Sequence, residues 1–130
     1  MYDDFFGFHA AALRVRSTRN ELLARNLAHA DTPGYQARDI DFREALADAN
    51  ASASARLMRT HSEHLPANGE SPTGTTVKYR VPMQPSVDGN TVEADIEQAE
   101  FAENIVQYRA SLHFINGKIR TMRHAISGER

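Results

Sequence analysis

The chain contains no cysteine, which excludes disulfides, thiol nucleophiles and thiolate zinc sites. It also lacks a basic excess. Fifteen Lys and Arg face seventeen Asp and Glu, for a formal net charge of -2 and a pI near 6.3. A nucleic-acid-binding domain or a polybasic membrane anchor carries clustered positive charge, so both classes are disfavoured. No apolar run reaches the roughly 18 residues a transmembrane helix needs. The opening residues Met1, Tyr2, Asp3 and Asp4 are acidic. A cleavable secretion signal opens on Lys or Arg before an apolar stretch, so any route out of the cytosol is expected to dispense with one. No nucleophile sits with a base in a recognisable motif, and there is no phosphate-binding glycine loop and no complete metal-ligand set. The expectation is therefore a protein that is not an enzyme, with no cofactor, no nucleic acid and no small-molecule substrate.

What is present is 130 residues with 41% hydrophobic content, enough for one domain, patterned as helix, irregular middle, helix. Over residues 5–30, Phe5, Phe8, Ala12, Val15 and Leu22 fall on one stripe, with Phe6, Leu13, Leu23 and Leu27 beside it. Arg19, Asn20 and Asn26 interrupt this broad apolar face. Asn26 is either a register-setting polar group or a side chain turned to solvent. Asp31-Thr32-Pro33-Gly34 stops the helix: Pro33 biases Thr32 out of the helical region, and Pro-Gly suits the centre of a type II turn.

The middle is weakly patterned. Ile40 and Phe42 alternate with Asp39 and Asp41 as an extended segment would. An Ala/Ser stretch covers 50–55, turn signals follow at Asn68-Gly69, Ser71-Pro72 and Thr73-Gly74, and Val77, Tyr79 and Val81 alternate as one short strand. Pro82 and Pro85 limit any sheet, and Asp88-Gly89 marks a turn.

The C-terminal segment carries the strongest periodicity. Stepping by four and three from Ala94 gives Gln98, Phe101, Ile105, Tyr108, Leu112, Ile115, Ile119, Met122 and Ile126, over more than four heptads. This is coiled-coil spacing. Proline is absent after Pro85 and the only interior glycine is Gly117. The spacing predicts a helix over 92–126, roughly 50 Å long, with Thr91 as N-cap and acidic Glu93 and Asp95 in the first turn. Arg14, Arg16, Arg19 and Arg25 on the first helix match Glu93, Asp95, Glu97, Glu100 and Glu103 on the second if the two run antiparallel. Exposed pairs of this kind contribute about 0–1 kcal/mol each, so they select orientation more than they stabilise. The acids 93–103 are expected on a solvated helix face or between subunits rather than in acid/base chemistry.

The fold class that follows is mainly α. Long terminal helices pack antiparallel as a coiled-coil-like pair around a small irregular, β-containing middle. Two long helices without a third layer are marginal alone, because ordering them costs backbone entropy that their own contacts barely offset. They are expected to be largely disordered in a free monomer and to fold against neighbours.

The segment Asn26-Leu27-Ala28-His29-Ala30-Asp31-Thr32-Pro33-Gly34-Tyr35 resembles the signature that follows the N-terminal helix of flagellar axial proteins. His29 stands where that family usually has Asn. The continuation through Phe42, the segment 88–97, Asn104 and Tyr108 narrow the resemblance to the flagellar basal body rod proteins, and within them to the proximal rod subunits. Thr60, His64 and Leu65 are also similar to the family.

The resemblance implies a structural subunit exported unfolded through the flagellar type III apparatus and added to a hollow helical rod in the periplasm. Residues 1–34 and 91–130 would form the inner tube and 35–90 an extended or looped middle. The motif positions would be Asn26, Ala28, Ala30, Thr32, Pro33, Gly34 and Tyr35. Phe8, Val15 and Leu22 would join Phe101, Ile105, Tyr108, Leu112, Ile115, Ile119, Met122 and Ile126 in the assembly seam. Phe42 and Leu46 resemble an export-gate motif. Expected partners are copies of the chain, other rod subunits, adaptor and membrane-ring subunits, and the export apparatus. The alternatives are another flagellar axial subunit or a cytosolic coiled-coil adaptor or chaperone. His61 and His64 lack a third clear ligand and are expected in polar or subunit contacts rather than on a metal.

Overall fold

A computed structural model of the chain describes residues 2–57 and 77–128. Thr60, His61, His64 and Leu65 lie outside the described residues, as do the turn signals of 68–74. Within them the order is α1 (Tyr2–Ala28), β1 (Arg38–Ile40), α2 (Phe42–Leu57), β2 (Val77–Tyr79) and α3 (Ala94–Ser127). The class is mainly α, with long helices at both ends and a two-stranded sheet between them.

Strong helix formers such as Ala10, Ala11, Ala12, Leu13, Leu22, Leu23 and Ala24 sustain α1. Its end tightens: the His29 amide donates to the carbonyls of both Arg25 and Asn26, and Ala30 donates to Leu27. The turn after it is the expected type II. The Tyr35 amide donates to the Thr32 carbonyl at 3.3 Å, and Gly34, at the third position, has φ +71°.

The strands pair antiparallel with Asp39 opposite Lys78, and strand character stops at Ile40. The alternation that continues to Phe42 in the sequence is overridden by Asp41. Its carboxylate accepts from the amides of Arg43 at 2.9 Å and Glu44 at 3.2 Å, which starts α2 instead. Val15 and Leu22 of α1 close a small core with Ile40 and Ala45, and Phe42 packs against it. Each large side chain buried there contributes roughly 2 kcal/mol.

α3 begins at Ala94, with Glu93 at the N-cap making no side-chain cap. The expected cap, Thr91, is used elsewhere: its hydroxyl accepts from the Ala37 amide at 2.7 Å. Asp95 and Glu97 occupy the first turn, and Gly128, at φ +64°, ends the helix in the left-handed conformation. α3 runs antiparallel to α1, since Asn26 meets Glu97, Arg19 meets Glu100 and Asn20 meets Asn104. By that register the last turns of α3 pass the start of α1.

Candidate assembly site

The two sequence motifs knit together at the end of α1. Asn90 is nearly buried, and its amide donates to three carbonyls there: His29 at 3.1 Å, Ala30 at 2.7 Å and Thr32 at 3.0 Å. These carbonyls lie in the turn just past the end of α1, where those of His29 and Thr32 also accept the Thr32 and Tyr35 amides. Asn90 Oδ1 accepts from the Val92 amide at 2.8 Å, so one side chain ties the end of α1 to the approach to α3. Backbone bonds extend the clasp, from Gly34 to the Asp88 carbonyl and from Thr91 to the Tyr35 carbonyl, each at 3.0 Å. Gly34 and Gly89, both at positive φ, face each other here: a Cβ on Gly89 would lie 3.8 Å from Gly34 Cα. His29 stacks on Tyr35, with ring centroids 4.5 Å apart, and its Nδ1 lies 3.1 Å from the Thr32 hydroxyl.

Asn26 is fully buried, not solvent-directed. Its amide donates to the Arg38 carbonyl at 2.7 Å, and its Oδ1 accepts from the Arg38 amide at 3.1 Å. One side chain therefore closes the free edge of β1 as a neighbouring strand would. Asn26 also donates to Glu97 at 3.1 Å.

The face α3 turns to α1 is polar. Glu97 and Asn104, seven residues apart, are both 0% exposed. Of the acids expected on a solvated face or between subunits, Glu97 departs, lying on the line 97, 104 that meets α1, whereas Asp95 and Glu103 are exposed. Asn104 donates to the Arg16 carbonyl at 2.9 Å and to Asn20 at 2.8 Å, and Arg16 bonds Gln107. Arg19 forks onto Asp39 at 2.8 and 2.9 Å and reaches Glu100 at 2.7 Å. Arg80 joins Asp39 at 2.6 Å to Glu97 at 2.8 Å.

Burial pushes the Asp39 carboxyl up, but hydrogen bonds from Arg19, the Ile40 amide and Arg80 outweigh it and hold it below its ordinary value. For Glu97 burial wins over Asn26 and Arg80, and the carboxyl is raised. Arg16 is lowered, first by burial and then by Arg19.

The heptad seam lies beside this polar line. Phe101, Tyr108, Ile115 and Met122 sit four residues on from it, about 40° round the helix, and are half-buried. Ile105, Leu112, Ile119 and Ile126 lie about 80° round. Ile105 is half-buried, but Leu112, Ile119 and Ile126 are exposed, Ile126 at 87%. Val15 and Leu22 pack with Ile40 of β1 and Ala45 of α2, and Phe8 is exposed. Phe42 is half-buried with the Arg16 guanidinium 4.1 Å above its ring, and Leu46 is half-buried on α2. Among the described residues no three His, Asp or Glu are arranged to hold a metal ion, and no helix is long and apolar enough to cross a membrane.

Sequence reasoning missed Asn90, Asp39 and Arg80 as organising residues. Arg19, Asn20 and Asn26, the polar interruptions of an apolar face, signalled the polar line.

No protein-family profile matches the chain. Individual proteins do, along nearly their whole length. The flagellar basal body rod protein FlgB of Cereibacter sphaeroides (strain ATCC 17029) is 48% identical over 128 residues, 98% of each chain. The protein of that name in Escherichia coli K12 is 44% identical over 124 residues, covering 92% of this chain and 90% of that one. In Aeromonas hydrophila it is 44% identical over 130 residues, covering 99% and 97%. With its helical ends and Thr32-Pro33-Gly34 turn, the chain belongs to the flagellar basal body rod protein FlgB family.

Proposed function

We propose that the chain is a structural, non-catalytic subunit of the proximal rod of the flagellar basal body and polymerises through its terminal helices. The observation that carries this reading is the half-covered seam of α3. Among the described residues α1 is the one long helix packed along α3, and it meets a polar line, leaving Leu112, Ile119 and Ile126 exposed, together with Val106 and Phe114. Burying each against a neighbouring subunit contributes roughly 2 kcal/mol toward assembly. Residues 1–34 and 91–130 form the inner-tube part in this reading, and 35–90 the part outside it. Asn26, Ala28, Ala30, Thr32, Pro33, Gly34 and Tyr35 set the angle at which the chain leaves the tube.

Export precedes assembly and places the subunit in the periplasmic rod. Phe42 and Leu46 serve the export gate in the unfolded chain. In the folded subunit Phe42 is engaged by Arg16 and the core, so the motif is legible only before folding. Partners are copies of the chain, other rod subunits, an adaptor at the membrane ring and the export apparatus.

The test is deletion of the gene with electron microscopy of basal bodies, complemented by wild type or by a Phe42→Ala/Leu46→Ala double variant. Rods and motility should be lost on deletion while the membrane ring stays. The double variant should be made but retained in the cytosol. Intact rods in the deletion strain would sink the assignment, and normal secretion of the double variant would discard the export motif. A cytosolic adaptor would instead remain inside and never enter a basal body.

A further inference from the structure

Five charged side chains from four segments meet where α1, the strand pair and α3 touch. Arg19 of α1 holds Asp39 of β1 and Glu100 of α3. Arg80, just past β2, holds Asp39 and Glu97. Three carboxylates share two guanidiniums, which leaves one negative charge in excess. The excess falls on Glu97. Asp39 has two guanidiniums, and Glu100 is about a third exposed, whereas Glu97 is fully buried with Arg80 as its one cation, shared with Asp39. Asn26 of α1 faces Glu97 with a neutral amide. Glu100 and Glu93 lie about a turn away on its own helix, both acidic. Each Glu97 oxygen accepts one of these bonds, Oε1 from Arg80 and Oε2 from Asn26, and keeps a lone pair that can take a proton.

We propose that this cluster is a proton-operated latch, in which uptake of one proton by Glu97 neutralises the site and tightens the docking of α3 and the strand pair on α1 in mildly acidic surroundings. Burial raises the Glu97 carboxyl, with Asp39 and Glu100 adding to the rise against Asn26 and Arg80. The folded chain then binds the proton more tightly than the unfolded chain does. Stability falls as pH rises from the ordinary glutamate value of 4.5 through the raised one. Asp39 acts in the opposite sense but lower down: its contribution is lost only as pH falls below the ordinary range. The two windows are separate, so the latch is legible above the acid limb.

The test uses the full chain, kept folded with trimethylamine N-oxide, in urea titrations at fixed ionic strength from pH 5 to pH 8. The wild type should show a unfolding midpoint that falls across this range. Glu97→Gln should lose that slope and equal or exceed the wild type at pH 8, while Glu100→Gln, which removes the excess charge but leaves Glu97 buried, should weaken the slope without abolishing it. A wild type with no slope, or a Glu97→Gln variant that retains it, overturns the latch. If Glu97→Gln does not fold, carbon-13 NMR of glutamate-labelled wild type decides. A buried carboxyl titrating above the ordinary range supports the latch, and none doing so refutes it.

Discussion

Replacing Asn90 by Ala removes the side chain that ties the end of α1 to the approach to α3. Its two amide hydrogens are shared among three carbonyls, so the loss on that side is about two net hydrogen bonds, roughly 1 kcal/mol each. Its Oδ1 is also lost, which orphans the half-buried Val92 amide at a further cost of about 1–3 kcal/mol. The sum is about 3–5 kcal/mol, enough to unfold a chain that is marginal alone. Asn90→Asp sharpens the reasoning, because it has nearly the same shape. It keeps the acceptor for Val92 but turns a carboxylate oxygen toward three carbonyl oxygens, so it should cost more than Ala. Urea unfolding of chain kept folded with trimethylamine N-oxide, followed by helical circular dichroism, measures the cost. Hydrogen exchange locates it, since the amides of Gly34 and Thr91 bridge the same clasp and should lose protection first. An Asn90→Asp protein with the wild-type midpoint and protected Gly34 and Thr91 would refute the assignment of Asn90 as the clasp.

Two glycine substitutions should have opposite signs. Gly34→Ala forces a side chain into φ +71° and should cost about 1–2 kcal/mol although the space is open, whereas Gly117→Ala, inside α3 and also unobstructed, should stabilise by about 0.5–1 kcal/mol. Paired unfolding curves check both. Asp39→Asn should flatten the acid limb of the stability curve, because a carboxyl held low contributes above its ordinary value and loses that contribution as pH falls through the depressed one. Dilute purified chain should show less helix than the fold contains and a broad thermal transition, and full helicity with a sharp transition would contradict folding by assembly.

The start of α2 was legible but unread. Asp41 followed three residues later by Glu44 is an N-terminal helix signal, and both amides expected of it are bonded to the Asp41 carboxylate. Strand alternation over four residues competed with it, and a single capping carboxylate decided the outcome. Thr91 shows the reverse. A residue well suited to cap a helix was taken by the Ala37 amide instead, a partner 54 positions away that no local pattern contains.

Local chemistry alone determined the two long helices, the type II turn at Thr32-Pro33-Gly34-Tyr35, the strand at Val77–Tyr79 and the antiparallel sense of the helix pair. Each depends on residues a few positions apart or on the bulk sign of charge along a helix. Tertiary structure alone decided which line of α3 meets α1. The apolar seam was the obvious candidate, yet Glu97 and Asn104 are the side chains sealed from water. Buried polar groups must find specific partners, and here those partners are Arg80, Asn26, Asn20 and the Arg16 carbonyl, brought together from distant segments. Periodicity records how apolar a face is, but it carries no record of whether a polar residue will find its complement across the fold.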